Sequence, residues 1–375
     1  MTSINHQGAA GDLAIVFDNK RKFAAIGLYD PDSPIAIRIL HVGRPVQIDQ
    51  HFWTERVMAA AARRAPLVAA EPGARPAYRL INGENDAMPG LVVDRYADTL
   101  VIKLYSPVWF PHLAVLVDAL LAATGAGSVV LRLARNVAAG QTFGLADGDV
   151  IAGHLDDAPV RFTEGGLVFE ADVRRGQKTG HFLDQRANRL RVGRLAEGCD
   201  VLDVFASTGG FSVHAAAGGA RSVHSVDLSA PTLAAAKANM ALNIDRSEVA
   251  ACVHTTEVGD AFEVMSTLAR SGAGYDVVVI DPPSFAQKQS SVEGAVRAYA
   301  RLTHLALPLL RPGGVLVQAS CSSRVSADQF FAAVLGAADV AGDQLDELAR
   351  TGADLDHPVT FPEGAYLKAG FWRVR

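Results

Sequence analysis

Apolar and polar positions alternate with a strand period over residues 13–40, around a turn-rich centre at 29–34, and predict a small β unit. Helix formers fill residues 51–67, and that helix is expected to end before Pro66. Residues 71–76 hold two prolines and a glycine and read as a linker. Residues 91–96 and 99–105 are strand-like around a short polar turn, the pattern of a hairpin. A helix over 106–123 and a strand over 128–135 follow, then short strand-like pieces over 150–171 turning at Gly165 and Gly166. This middle region reads as α+β.

From about residue 194 the pattern changes to strand, turn, helix, repeated. Apolar runs at 201–205, 222–227, 276–280 and 314–319 alternate with helix-compatible stretches at 211–217, 231–243 and 292–307. Buried strands alternating with helices predict a parallel sheet covered on both faces.

Composition adds limits. The chain has 375 residues with 49% hydrophobic, 20% charged and 7% aromatic positions, a mix that excludes bulk disorder, collagen and coiled coil. Net charge is −5, which argues against a broadly basic nucleic-acid coat but not against a local basic patch. Cys199, Cys252 and Cys321 are too few and too scattered for a disulfide framework or a zinc cluster, and no metal is expected. A reducing, cytoplasmic setting is therefore expected. Residues 1–12 lack a basic segment followed by an apolar one, so no secretory signal is read there. The apolar stretch 112–130 is broken by Asp118, Gly125 and Gly127, and no membrane span is expected.

In a doubly wound sheet ligands bind at the carboxyl ends of the strands. Asp227, Asp260 and Asp281 fall at such ends, and Asp203 lies just before a turn that carries Gly209 and Gly210. Glycines there let a ligand approach the backbone. Asp227 lies 18 residues past Gly209, which suits a carboxylate on ribose hydroxyls. The turn lacks the G-x-G-x-x-G spacing that seats a pyrophosphate, so a ribose ligand without phosphate fits better, and S-adenosylmethionine is one. Taken singly, each aspartate could equally cap a helix.

The strings VLDVFASTGGFS (201–212), SVDLS (225–229) and DPPSF (281–285) resemble class I S-adenosylmethionine-dependent methyltransferases. GQKTGHFLDQR (176–186), ENDAMPGLVVDRY (84–96), DHPV (356–359) and FPEGAYLK (361–368) resemble segments of bacterial 23S ribosomal RNA 5-methylcytosine methyltransferases. GLYDPDSPIAIR (27–38) resembles the second half of a PUA-type RNA-binding domain, here with few residues ahead of it. The implied architecture is α/β: a partial PUA-like β unit with a linking helix over 1–70, a middle α+β domain over 71–172, and a Rossmann-like methyltransferase domain over 173–375. The resemblance implies that Phe182 lines the adenine site, Asp203 and Gly209 hold the methionine part, Asp227 the ribose, and that Asp260 faces the adenine amino group. It extends the cofactor site to Ser207, Thr208, Leu228 and Asp281.

Carbon 5 of cytosine has no lone pair, so its methylation uses a thiolate that adds to carbon 6 and makes carbon 5 nucleophilic. Cys321, in ASCSS (319–323) past a predicted strand, resembles the nucleophile of RNA 5-methylcytosine enzymes. Asp281, stiffened by Pro282 and Pro283, would hydrogen-bond the protonated N3 of the base. Many such enzymes carry a second cysteine after the proline pair, where this chain has Ser284. Cys199 and Cys252 read as small apolar residues.

An RNA base must be unstacked to be reached, which calls for backbone contacts from basic side chains. Residues 174–194 hold seven arginines and lysines against Asp184 alone. Arg174, Arg175, Lys178 and Arg186 are expected to meet RNA, and Pro283 and Ser284 to border the base; a solvated helix face is the equal alternative for the charge run. The expected activity is methyl transfer to carbon 5 of a cytidine, in large-subunit ribosomal RNA. The alternatives are a methyltransferase acting on a base nitrogen or a small molecule, and a non-catalytic RNA-binding factor. Oligomeric state stays open, with a homodimer among the options.

Overall fold

The computed structural model describes residues 8–71, 73–286 and 288–375. Residues 1–7, part of the stretch read for a secretory signal, lie outside them, as does Pro72 of the expected linker. The chain divides into two compact units. Of the described residues, the first comprises those within 8–166, 170–183 and 355–358, and the second those within 167–169, 184–354 and 359–375.

The first unit opens with β1 (Leu13–Phe17), β2 (Phe23–Tyr29) and β3 (Ile37–Val42), an antiparallel sheet in that order. Helix α1 (Gln50–Ala69) is N-capped by Asp49, whose carboxylate accepts from Phe52 N at 3.0 Å. The expectation that Pro66 ends this helix is wrong. Pro66 and Ala62 are both exposed, so the Ala62 carbonyl that loses its donor faces water and the helix runs on by a turn.

The expected hairpin is β5 (Leu91–Tyr96) and β6 (Thr99–Leu104), with Ala97 at φ 54° supplying the left-handed turn residue. With β4 (Ala77–Asn82), β7 (Ser128–Leu133) and β8 (Val150–Gly153) they form a five-stranded sheet in the order β4-β5-β6-β7-β8. The crossover from β6 to its parallel neighbour β7 runs through α2 (Leu113–Thr124). The stretch Pro107–Thr124 is long and apolar enough to cross a membrane, with mean hydropathy 1.5. Here Trp109, Leu116 and Leu120 are fully buried in the core of this unit, against Trp53 and Leu131. The short α3 (Arg135–Ala138), β9 (Val160–Glu164) and the last two residues of β10 (Leu167–Ala171) complete it, Arg161 of β9 pairing with Glu170 of β10.

Two of the quoted strings meet inside this unit. Asp94 accepts from Arg79 Nε at 2.8 Å and from Thr179 Oγ1 at 2.5 Å, and Tyr96 OH lies 3.0 Å from the same Thr179 hydroxyl. A buried carboxylate thus anchors the GQKTGHF segment to the hairpin.

The second unit starts at α4 (Arg186–Leu195) and holds β11 (Asp200–Val204), α5 (Gly210–Ala217), β12 (Ser222–Asp227), α6 (Ala230–Ala241), α7 (Ser247–Ala251), β13 (Val253–Val258), α8 (Ala261–Arg270) and β14 (Tyr275–Ile280). It continues with α9 (Val292–Ala306), β15 (Leu310–Ser320), α10 (Ala327–Ala341), β16 (Leu345–Thr351) and β17 (Lys368–Val374). The seven strands lie in the order β13-β12-β11-β14-β15-β17-β16. This is the expected α/β architecture with one difference: the sheet is mixed, because β17 runs antiparallel to both β15 and β16. Buried apolar residues of β11, β14 and β15 pack against α8, α9 and α10 on one face, and α5 lies between α4 and α6 away from them.

Candidate active site

Five parallel strands of the second unit end on one edge, so the loops after β11, β12, β13, β14 and β15 share it. β17 is antiparallel, which starts it at the same edge. Topology alone therefore gathers Ser207, Thr208, Gly209, Asp227, Leu228, Asp260, Asp281, Pro283, Ser284 and Cys321 along one rim.

The turn after β11 is strained in a regular way. Phe205, Ser207 and Gly209 have φ of 65°, 49° and 78°, so left-handed residues alternate through it. The two that are not glycine cost roughly 1–3 kcal/mol each, and such outliers gather at ligand sites. A Cβ at Gly209 would stand 2.8 Å from Ala236 Cβ, so α6 packs too close for any side chain. Helix α5 begins directly after this turn and has no side-chain cap. The Gly210 and Phe211 amides are left for a ligand carboxylate or for water, while that of Ser212 faces Asp203.

Asp227 ties that turn to the next strand end: one carboxylate oxygen accepts from Ser207 N at 2.9 Å and the other from Ser229 N at 2.9 Å. Leu228 beside it is 73% exposed, an apolar patch of the kind a purine face covers. Asp260 caps α8, accepting from Phe262 N at 3.0 Å, so the capping role is real there. Asp203 is fully buried. Its Oδ2 accepts from Ser212 Oγ at 2.6 Å and its Oδ1 has no hydrogen-bond partner among the described residues. Burial pushes this carboxyl up to about 6. Its place is under the turn.

Asp281 and Cys321 lie on neighbouring strand ends. Gln185 Nε2 donates to Asp281 Oδ1 at 2.8 Å, and Gln185 Oε1 accepts from Asn188 Nδ2 at 2.6 Å. Thr351 Oγ1 donates to Asn188 Oδ1 at 2.6 Å, so a relay from the end of β16 fixes which way each amide points. Cys321 Sγ lies 3.9 Å from the Pro282 carbonyl, and Ser322 Oγ 3.4 Å from that of Ala286, which joins the two loops. Ser284 Oγ lies 3.5 Å from the Ala286 carbonyl in the same loop. Ser320 donates to Tyr299 OH at 2.8 Å, and burial pushes that phenol up to about 12. Burial raises Cys199 and takes Cys252 up to about 11, so both stay thiols at neutral pH.

The basic segment is divided between the units. Arg174, Arg175, Lys178 and Phe182 belong to the first, in which Lys178 Nζ lies 4.3 Å over the Phe182 ring. Arg174 and Arg175 both pair with Asp157. Arg186, Arg189, Arg191 and Arg194 belong to the second. Arg186 is buried and pairs with Asp354 at 2.8 Å, Arg189 is buried, and Arg191 stacks on Phe371 at 5.1 Å. Folding thus uses much of the charge run internally.

A family profile described as S-adenosylmethionine-dependent methyltransferase matches residues 147–348, and one described as a PUA-like domain matches residues 2–41. The chain belongs to the S-adenosylmethionine-dependent methyltransferases. It is 49% identical to the "Ribosomal RNA large subunit methyltransferase" of Deinococcus radiodurans, over 99% of this chain and 90% of that one. To the "Ribosomal RNA large subunit methyltransferase I" of Shewanella denitrificans it is 36% identical, over 97% and 91%. In fold it is similar to the crystal structure of SMU.776, described as a methyltransferase complexed with SAH, with a TM-score of 0.83 and 22% identity over 98% of this chain and 93% of that one.

The rim fits this cofactor. The strained turn and the uncapped start of α5 suit the methionine carboxylate, and the Asp227 carboxylate beside the bare Leu228 side chain suits ribose and adenine. The methyltransferase binds S-adenosylmethionine, whose sulfonium supplies an electrophilic methyl group. Gln185, Asn188, Thr351 and Lys368 are not among the residues expected from the sequence. Gln185 and Lys368 stand inside two of the recognised strings, DQR and YLK, which was the available signal. Nothing local marks Asn188 or Thr351.

Proposed function

We propose that this enzyme methylates carbon 5 of a cytidine in large-subunit ribosomal RNA through a covalent Cys321 adduct. The RNA class rests on the names of relatives that match nearly the whole chain. The observation that carries the chemistry is the meeting of Cys321 and the Asp281 loop on one rim, with Asp281 itself oriented by Gln185.

The Cys321 thiolate adds to carbon 6 of the base while Asp281 holds the proton on N3, so that the electron pair collects on carbon 5. That carbon takes the methyl group. A base then removes the carbon 5 proton, the carbon 5–carbon 6 double bond re-forms, and Cys321 leaves as thiolate. Pro282 and Pro283 stiffen the loop that presents Asp281. Asp203, Ser207, Thr208, Gly209, Asp227, Leu228 and Asp260 form the cofactor shell of the second unit. Arg174, Arg175 and Lys178 meet the RNA backbone and Pro283 and Ser284 border the flipped base, while Arg186, expected among the RNA contacts, is buried and tied to Asp354 at the start of α4.

RNA carrying 5-fluorocytidine tests the reading, because fluorine at carbon 5 blocks the final proton removal. With S-adenosylmethionine present, a denaturation-resistant complex forms with the native chain and not with Cys321→Ala. Methyl transfer by Cys321→Ala at the native rate would overturn the adduct and move the target to a nitrogen.

A further inference from the structure

Lys368 opens β17 and pairs in register with Ser320, the last residue of β15, so its side chain enters beside the Cys321 loop. It is 4% exposed. Its ammonium donates to the Ser322 carbonyl and, at 2.6 Å, to the Val325 carbonyl. No carboxylate of the described residues lies within ion-pair distance of it. A buried ammonium held only by carbonyl dipoles is poorly compensated. Burial accordingly pulls Lys368 down to about 8, and an ionised Cys321 would act in the opposite direction. The missing counter-charge is thus the neighbouring sulfur.

We propose that Lys368 is the positioning residue of the nucleophile: its ammonium forms an ion pair with the Cys321 thiolate in the resting enzyme and fixes the loop that presents it. The thiol proton leaves to solvent, the ammonium stays protonated, and the pair is neutral. The two carbonyl bonds hold residues 322–325, so the charge and the loop geometry come from one side chain. The catalytic consequence rests on the carbon 5 reading above; the pairing itself does not.

The test is alkylation of the full chain by iodoacetamide from about pH 5 to about pH 9, read by mass spectrometry on the Cys321 peptide so that Cys199 and Cys252 do not contribute. Lys368→Met moves the midpoint up by about one unit or more, which slows alkylation at neutral pH roughly tenfold, and Lys368→Arg keeps it near the native value. A purely structural role would lower the melting temperature of Lys368→Met and leave the midpoint in place; that result overturns the pairing. Should Lys368→Met fail to fold, linkage gives the reciprocal measurement. Lysine side-chain NMR then shows the Lys368 ammonium titrating lower in Cys321→Ser than in the native chain, and equal midpoints overturn the proposal. No RNA enters either measurement. A shifted midpoint without a 5-fluorocytidine adduct sinks the carbon 5 reading alone, and an adduct with an unshifted midpoint sinks the pairing alone.

Discussion

Gln185 and Asp281 are 96 residues apart and joined by a 2.8 Å hydrogen bond in which the amide nitrogen donates to the carboxylate. Asn188 occupies the amide oxygen, so the amide cannot turn over without losing both bonds. Replacing Gln185 by Leu removes this bond from Asp281 at the reacting edge. A hydrogen bond to a charged group is worth about 1.5–3 kcal/mol, so methyl transfer should fall roughly 10- to 150-fold. Steady-state methylation of RNA checks this, with cofactor affinity by calorimetry as the control that should hold. Gln185→Glu should lose more, since it sets a second carboxylate against the first.

Asp203 gives a pH signature. Its carboxyl is raised to about 6 by burial, above the usual 3.8, so the folded state holds a proton that the unfolded state releases. Stability from this group is full at low pH and is lost as pH rises through about 6, on the order of 2–3 kcal/mol in all. His254 is linked to it through Ser212 and Ser225, with bonds of 2.6 Å and 2.8 Å, and is lowered by burial to about 4. Its stability contribution runs the other way, growing as pH rises from about 4 to about 6.5. Asp203→Asn removes only the first slope. Melting temperature against pH should therefore rise more steeply with pH in the variant than in the native chain; parallel curves would contradict the assignment.

Arg64 is a buried ion-pair anchor of the first unit. It is fully buried, forms two 2.7 Å bonds to Asp86, and also donates to the carbonyls of Arg79 and Asp356. Breaking a buried pair leaves the partner charge without compensation, at about 3–5 kcal/mol. Arg64→Met should lower the unfolding free energy of this unit by that much, measured by urea unfolding. Removal of Arg63, which pairs with Asp86 from the exposed side, should cost under about 1 kcal/mol.

Local patterning carried much of this fold into view. The strand 222–227 and the helix opening at Val292 were legible because their apolar periods are clean and their ends carry turn or cap residues. Proline at 66 misled, because its effect depends on whether the carbonyl four residues back can reach water, which is a tertiary fact. The antiparallel β17 was hidden for a similar reason: FWRV reads as any strand, and direction is set by its neighbours. At the rim, type and spacing pointed to Asp227 and the glycine turn, and the other expected residues came from the resemblance. Gln185 and Lys368 were not readable, since they act through loops that are distant in sequence or adjacent only by strand register.

The last prediction joins packing to chemistry. Helix α4 carries Asn188 at the base of the Gln185 relay, and it lies against α5 through two glycines. A Cβ at Gly218 would stand 1.9 Å from the Gly193 carbonyl oxygen, and one at Gly193 would stand 2.8 Å from the His214 carbonyl oxygen. The φ of Gly218 is −80°, so the demand is for close approach and not for a left-handed backbone. Gly218→Ala must push α4 outward. Overpacking of this kind costs about 1–3 kcal/mol, and the displacement also draws Asn188 from Gln185 and loosens Asp281. Methyl transfer should then fall severalfold at temperatures well below the melting point, with the Cys321 alkylation profile unchanged. Full activity in Gly218→Ala would show that α4 can shift without disturbing the relay.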